Sequence, residues 1–345
     1  MSIQPAWQYP LDFFGARPIV IEPSPALLSS DGGLLPIRQF DERIRLTAAF
    51  AQALDDPRAP ALSEHTFLEM VRSRIDGILA DYEDQNDHDT LRSDPVFQVI
   101  AGRSPDGDDL ASPPTLSRFE NRITIASLKR LRDVFIDQFS AAFPQPPRRL
   151  VFDLDAVDDP APGHQQLTFW HGFYDQNQYL PLFITRAAND QFVLLSLRPG
   201  TVHAALGADD DLEYLVKRLR QVWPDVVIYV RGDAGLGVPW MYDTCERWQI
   251  YYTFGLRSTA VLRRHSAALL AQAVAAYDQA RQQAALQEPR PDVPPPRLFQ
   301  GFGYQAGSWP HARHVIVKAE ATAQGTNRRF IVSNRPGADL LPEAT

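Results

Sequence analysis

The sequence predicts an α/β protein: a mixed sheet with crossing helices, preceded by a helical region and followed by a small β unit. Three observations predict it. Residues 35–147 carry apolar side chains at helical spacing. Pro144, Pro146 and Pro147 then punctuate the chain, and the apolar period changes to that of strands. The later elements read as several strands in succession, then helix, strand, helix, strand, helix.

A chain of 345 residues has room for two or three domains. Its 44% hydrophobic and 22% charged residues are those of an ordinary globular protein. The longest apolar runs fall short of the ~20 residues that span a bilayer. Met1 to Tyr9 shows no basic start followed by an apolar stretch, so no signal peptide is expected. The single cysteine, Cys245, excludes an internal disulfide framework and a cysteine-rich zinc site; it reads as a small core residue in a reducing cytoplasm. The net charge of -8 weighs against a simple nucleic-acid binder. The charge is uneven, however. Residues 1–112 carry 9 basic and 19 acidic residues, and residues 113–345 carry 25 and 23, so the acid is concentrated in the first third. The remainder has cations enough for a basic groove.

The elements follow in order. Residues 1–34 are Pro-rich and aperiodic and read as an extended arm. Residues 35–147 form the helical domain: Phe67, Leu68, Val71 and Ile75 recur on one helix face, and Leu128, Leu131, Val134, Phe135 and Phe139 form the stripe of another over 125–143. Residues 148–288 form the core. Arg149-Leu150-Val151-Phe152-Asp153-Leu154-Asp155-Ala156-Val157 is a buried strand, and 166–174, 179–185 and 191–197 are strand-like. A helix starts near Asp211, where aspartates favour its N-terminal end. Val226 to Val230 is a strand, Pro239 to Glu246 a short helix, Gln249 to Phe254 a strand and 258–287 a long Ala-rich helix. A strand meander followed by helix–strand units on one sheet is the ribonuclease-H-like arrangement, and connection rules leave few other topologies. Residues 289–345 open on a stiff proline spacer; strand-like alternation over 297–306, 315–321 and 329–333 makes a small β unit.

The chemistry sits in the carboxylates. Asp153 and Asp155 are two apart on a strand and point to one face. Acids in an apolar run are costly unless paired or bound to metal. Asp233 follows the Val226–Val230 run, in Arg231-Gly232-Asp233-Ala234-Gly235, at the carboxyl end where sites commonly form. If the two strands are neighbours, Asp155 and Asp233 share a divalent cation, which would also offset their repulsion. Strand-end and turn aspartates with no such role remain the plain alternative.

Several stretches resemble the insertion-sequence transposases of the thirteen-eighty family, a branch of the DDE transposases. They are Asp31-Gly32-Gly33-Leu34-Leu35-Pro36-Ile37-Arg38, Arg92-Ser93-Asp94-Pro95, Pro114-Thr115-Leu116-Ser117-Arg118-Phe119-Glu120-Asn121, Phe152-Asp153-Leu154-Asp155 with Gly163-His164-Gln165-Gln166, Tyr179-Leu180-Pro181-Leu182, Leu197-Arg198-Pro199-Gly200, Arg231-Gly232-Asp233 and Phe330-Ile331-Val332-Ser333-Asn334. The resemblance implies metal-dependent cutting and joining of DNA at element ends, with Mg²⁺ or Mn²⁺. It implies Asp155 as the first catalytic aspartate, Asp153 as the second candidate for that role, and Asp233 as the second aspartate. The family's Asp-x-Thr is Asp155-Ala156-Val157 here. Residues 297–334 resemble its β insertion. The helix bearing the family's catalytic Glu is not found after Asn334, so the chain reads as ending before the third acid and as impaired alone. Glu320 and Glu343 are poor replacements by position.

For DNA contact, Arg118 and Asn121 lie in the helical region that the resemblance assigns to element ends, with helix capping as the alternative. Arg231 and Arg257 are further candidates. Lys217, Arg218 and Arg220 read as a solvated helix face. Trp170, His171 and Tyr174 lie between the two aspartate motifs, where they line the groove or, for Trp170, pack in the core. The resemblance also implies a homodimer bridging two DNA ends and a target DNA. Two other functions fit parts of the sequence. One is a non-catalytic, transposase-derived DNA-binding or regulatory protein. The other is a phosphatase of the haloacid-dehalogenase kind, with Asp153 as nucleophile and Asp155 as acid/base; the further strands and the single acid of the Asp233 motif count against it.

Overall fold

The computed structural model describes residues 9–11, 19–21, 27–59, 63–163, 165–287 and 292–335. Most of the expected extended arm, and Glu343, lie outside them. Within the arm, β1 (Tyr9–Leu11) pairs antiparallel with β2 (Ile19–Ile21). The chain forms two compact units, residues 1–134 and 135–345.

The first unit is helical, as the periodicity predicts: α1 (Leu34–Ile44), α2 (Leu46–Ala53), α3 (Phe67–Leu79), α4 (His88–Leu91), α5 (Pro95–Ala101), α6 (Pro113–Glu120) and the start of α7 (Ile125–Ala141). Local signals set the boundaries. At α3, the Thr66 hydroxyl accepts from the Glu69 N–H at 3.1 Å while the Glu69 carboxylate accepts from the Thr66 N–H at 2.8 Å, so two end donors are satisfied reciprocally. At α5, Asp94 accepts from the N–H groups of Val96 and Phe97, and Pro95 fills the first helical position. The Arg92-Ser93-Asp94-Pro95 stretch is thus a helix start. Two small apolar cores result. Leu34, Leu91, Phe97, Ile100 and Leu110 make one; Phe67, Met70, Val71, Leu116 and Phe119 make the other.

Two titratable groups sit buried among these helices, Asp76 at 3% and His88 at 0% exposure. Burial, then the nearby Asp41 carboxylate, pushes the Asp76 carboxyl up from 3.8 to about 6. Burial, then the Arg74 charge, holds His88 down from 6.5 to about 4. Asp76 therefore stabilises the unit while protonated, and that contribution is lost as pH rises through about 6. His88 stabilises it while neutral, and its contribution is lost as pH falls through about 4. Between these values the two slopes oppose. Relative to wild type, Asp76→Asn is expected to gain stability as pH rises from about 4 to about 6, and His88→Gln to lose it, each by roughly 2–3 kcal/mol. Urea unfolding across that range checks this, and curves parallel to wild type for both variants would contradict it.

The second unit begins inside α7 rather than at the prolines. Ile136 and Phe139 of α7 belong to its core, where the Phe139 ring lies 5.9 Å from that of Phe152. Its sheet holds β3 (Arg149–Ala156), β7 (Leu182–Arg186), β8 (Gln191–Ser196), β9 (Val227–Gly232) and β10 (Tyr251–Leu256), with α8 (Ala208–Val222) before β9 and α9 (Pro239–Arg247) before β10. The order β8-β7-β3-β9-β10 has antiparallel pairs on one side of β3 and parallel pairs on the other. This is the ribonuclease-H-like core that the element order predicts.

Three details differ from the sequence reading. Of the stretch 166–174 only β5 (Phe169–His171) is a strand, and it joins β4 (Asp159–Pro160) and β6 (Gln176–Tyr179) in a small separate sheet, while the stretch 179–185 overlaps β7 of the core. The long helix divides at Ser266 into α10 (Ala260–His265) and α11 (Ala267–Ala284); the buried Ser266 hydroxyl donates back to the Leu262 carbonyl at 3.0 Å. The C-terminal β unit, β11 (Arg297–Tyr304), β12 (Arg313–Thr322) and β13 (Gly325–Ser333), is continuous with the core sheet, because β13 pairs antiparallel with β10. Val315, Val317, Phe330 and Val332 accordingly join the main core.

Candidate active site

Burial along β3 alternates. Leu150, Phe152 and Leu154 are buried, while Asp153 and Asp155 lie on the opposite face, as the two-residue spacing predicts. In the parallel ladder Asp153 stands opposite Arg231 and Leu154 opposite Gly232. Asp155 is the next residue of β3 and Asp233 the residue after β9, so both acids stand at the carboxyl ends of neighbouring strands, where the Asp233 charge acts on Asp155.

The environments of the three acids differ. Asp153 receives two parallel bonds from Arg231, both 2.6 Å. Its charge is thereby matched, and Arg231, one of the sequence's DNA-contact candidates, is occupied by it. Among the described residues no cation pairs with Asp155 in this way. Burial first, then the charge of Asp233, raises its carboxyl above the usual range. The Asp233 carboxylate is oriented by its own turn, accepting from the Gly235 N–H at 2.8 Å and the Leu236 N–H at 3.3 Å. That turn packs on β10 so closely that a Cβ on Gly255 would stand 2.6 Å from the Ala234 nitrogen. The glycine is therefore what lets the turn settle there. The Tyr174 hydroxyl is raised by burial first and then by Asp158, Asp233 and Asp155, which places it within the field of the pair.

Beside the pair lies an open cavity of about 580 Å³, lined by Ala156, Tyr174, His203, Asp233 and Arg257 among others. His171 and Phe173 from the turn region of the β5–β6 hairpin also face it. The Arg257 side chain is exposed, with no hydrogen bond or ion pair among the described residues. Trp170 is 55% exposed, so it is not the core residue offered as the alternative reading.

Two features escaped the sequence reading although their residues were in view. The buried Arg198 donates to the carbonyls of Leu180 (2.8 Å), Ala204 (2.7 Å) and Leu206 (2.9 Å), fixing the loop that carries His203. Gly200 lies against the β5–β6 hairpin, where a Cβ would stand 1.9 Å from the Gln178 carbonyl oxygen and 2.8 Å from that of Phe169. Leu197-Arg198-Pro199-Gly200 is thus the joint between the cavity wall and the small sheet. Gly200→Ala is expected to cost about 3 kcal/mol, since backbone on both sides must move. Urea unfolding followed by tryptophan emission measures it; a midpoint equal to wild type would contradict the close approach.

The other candidates lie elsewhere. Arg118 donates to the Thr115 hydroxyl at 3.0 Å and Asn121 to the Ser117 hydroxyl at 3.3 Å, both at the end of α6 in the first unit. Arg118 also lines a recess with Arg58 and Arg122. Lys217 pairs with Glu213 and Arg218 with Asp137, and Arg220 donates to the Gln249 carbonyl, as befits a helix face. Glu320, on β12, is engaged by Lys318 and Asn327, which hold its carboxyl below the usual range.

Sheet order and strand direction define a ribonuclease-H-like α/β protein. The chain belongs to the family Transposase DDE domain group 1, which it matches over residues 13–343. Among solved structures it is similar to the piggyBac transposase in a cryo-EM structure of its synaptic complex with hairpin DNA. The two are 12% identical, with a TM-score of 0.34, and the match covers 86% of this chain and 59% of that one. No curated protein matches. The family normally uses a divalent metal. The donors here fit one: two neighbouring carboxylates, one of them without a cation partner among the described residues, suit a hard cation that keeps several waters. Among the described residues, no group of three or more His, Cys, Asp or Glu side chains is close enough to hold an ion by itself. Among them, too, no helix is long and apolar enough to cross a membrane.

Proposed function

We propose that this chain is a transposase that cuts DNA at the ends of its element and joins the freed 3′-hydroxyl to target DNA. In this reading Asp155 and Asp233 hold Mg²⁺ or Mn²⁺. The observation that carries it is that these two acids stand at the carboxyl ends of adjacent parallel strands, near enough for the Asp233 charge to act on Asp155, while Arg231 neutralises Asp153. Asp155, rather than Asp153, is then the first catalytic carboxylate. An ion bound there supplies an activated attacking oxygen and a charge on the scissile phosphate. The protein's part is to hold its two ligands rigid: Asp155 by the strand pairing, Asp233 by two backbone N–H groups and the packing on Gly255. Arg257, which lines the cavity beside the pair, would meet a phosphate of the strand being cut. In the first unit, Arg118, Asn121 and the neighbouring Arg58 and Arg122 are the proposed contacts to element-end DNA. Two copies bridging two ends complete the reading.

The test is gel shift and strand nicking on labelled DNA carrying the element's ends, with Mg²⁺ or Mn²⁺. Binding and metal-dependent nicking are expected, the nicking slow because no third acid joins the pair among the described residues, with nicking lost in Asp155→Ala and Asp233→Ala and kept in Asp153→Asn. Nicking untouched by the first two substitutions, or no DNA binding at all, would refute the proposal. A second reading, a DNA-binding protein that does not cut, is favoured by the lack of a third metal-binding side chain beside the pair among the described residues. It predicts binding without nicking.

A further inference from the structure

The β5–β6 hairpin presents its aromatic side chains outward. Phe173 is 84% exposed, Trp170 55% and Phe169 44%. Large apolar side chains so exposed on one short hairpin are unusual without an occupant. Three rings form a ladder along the cavity wall: His171 lies 5.0 Å from Tyr174, and Tyr174 5.0 Å edge-on to Phe173. The outermost ring, Phe173, lines the cavity and is the most exposed of the three.

The same cavity carries Arg257, a cation with no partner among the described residues, and Asp233 of the carboxylate pair. An apolar peptide would satisfy the rings but would leave the guanidinium idle. A nucleotide satisfies both, since its base has a flat face for an aromatic ring and its phosphate an anion for arginine. A base inside a duplex cannot reach such a recess, so the nucleotide must be unpaired.

We propose that this cavity takes one unpaired nucleobase of a DNA strand, stacked on Phe173 with its phosphate against Arg257, beside the Asp155–Asp233 pair. The proposal rests on the transposase reading and adds to it a separation of the strands at the cut. The hairpin is a base platform, and the Arg198 and Gly200 joint fixes it relative to the wall that carries His203.

The probe is a single-stranded oligodeoxynucleotide with one 2-aminopurine, compared with its duplex. Affinity is read by anisotropy and stacking by 2-aminopurine emission. The variants are Phe173→Ala, Phe173→Leu and Phe173→Tyr; the side chain is exposed, so folding is not at stake, and melting curves verify that. Bound emission is expected to fall severalfold in wild type and Phe173→Tyr. Single-strand affinity is expected to weaken about tenfold in Phe173→Ala and Phe173→Leu, with duplex affinity changed less than about twofold. Duplex binding with unquenched emission, or with single-strand affinity unchanged in Phe173→Ala, overturns the base site and leaves the transposase reading intact. Full affinity in Phe173→Leu with loss only in Phe173→Ala overturns it too, as simple apolar contact. Binding of neither DNA form overturns both.

Discussion

Asp233→Ala is expected to lower metal-dependent nicking of element-end DNA about a thousandfold, since a bound ion contributes several kcal/mol at the transition state and each 1.36 kcal/mol is a factor of ten. The expectation follows from what the side chain does twice over. One oxygen accepts from Gly235 and Leu236 and shapes the turn. The carboxylate charge is what a cation would see. The two roles separate with Asp233→Asn, which keeps an oxygen for the turn and removes the charge. If the charge is what matters, Asn is as inactive as Ala while still binding DNA. Nicking within about threefold of wild type in Asp233→Asn would show that Asp233 only builds the turn.

Arg313→Met is expected to destabilise the second unit by about 3–5 kcal/mol, the typical cost of removing one partner from a buried ion pair. Only 2% of the Arg313 side chain is exposed. It donates to Asp243 at 2.6 Å and to both oxygens of Glu246 at 2.8 and 3.0 Å. Its guanidinium stands 4.9 Å from the Tyr242 ring centre, where cation and ring attract. Glu246 also accepts from the Tyr252 hydroxyl. Methionine fills the volume but takes the guanidinium away from both carboxylates, leaving Glu246, among the described residues, only His311 and the Tyr252 hydroxyl. Because Asp243 and Glu246 lie on α9 and Arg313 opens β12, this cluster fastens the C-terminal strands to the helix that follows Asp233. Thermal melting followed by tryptophan emission measures the effect, and a melting temperature unchanged from wild type would contradict it.

These residues show where the sequence was legible. The core strands and helices could be read because each buries one face and so writes a period into the chain; β3, α8, β9 and β10 stand where that period puts them. The shared face of Asp153 and Asp155 followed from strand geometry alone. The choice between them did not, because it depends on Arg231, 78 residues away in sequence and opposite Asp153 only once β3 and β9 pair. The joining of β13 to β10 was likewise invisible, since pairs such as Thr253 with Ser333 are set by long-range packing. The burial of Arg198 and Arg313 was not legible, because arginine is ordinarily exposed. Their buried donors answer carbonyls and carboxylates that only the fold brings together. The β5–β6 hairpin was blurred for a different reason: its strands are three and four residues long, too short for alternation to mark their ends.

The central claim is that Asp155 and Asp233 together hold a divalent ion. The most direct measurement is Mn²⁺ binding by electron paramagnetic resonance, with element-end DNA present, in wild type, Asp155→Asn, Asp233→Asn and Asp153→Asn. The account predicts bound Mn²⁺ in wild type and Asp153→Asn and its loss in the other two. Equal Mn²⁺ binding in all four proteins, or loss in Asp153→Asn alone, would contradict it.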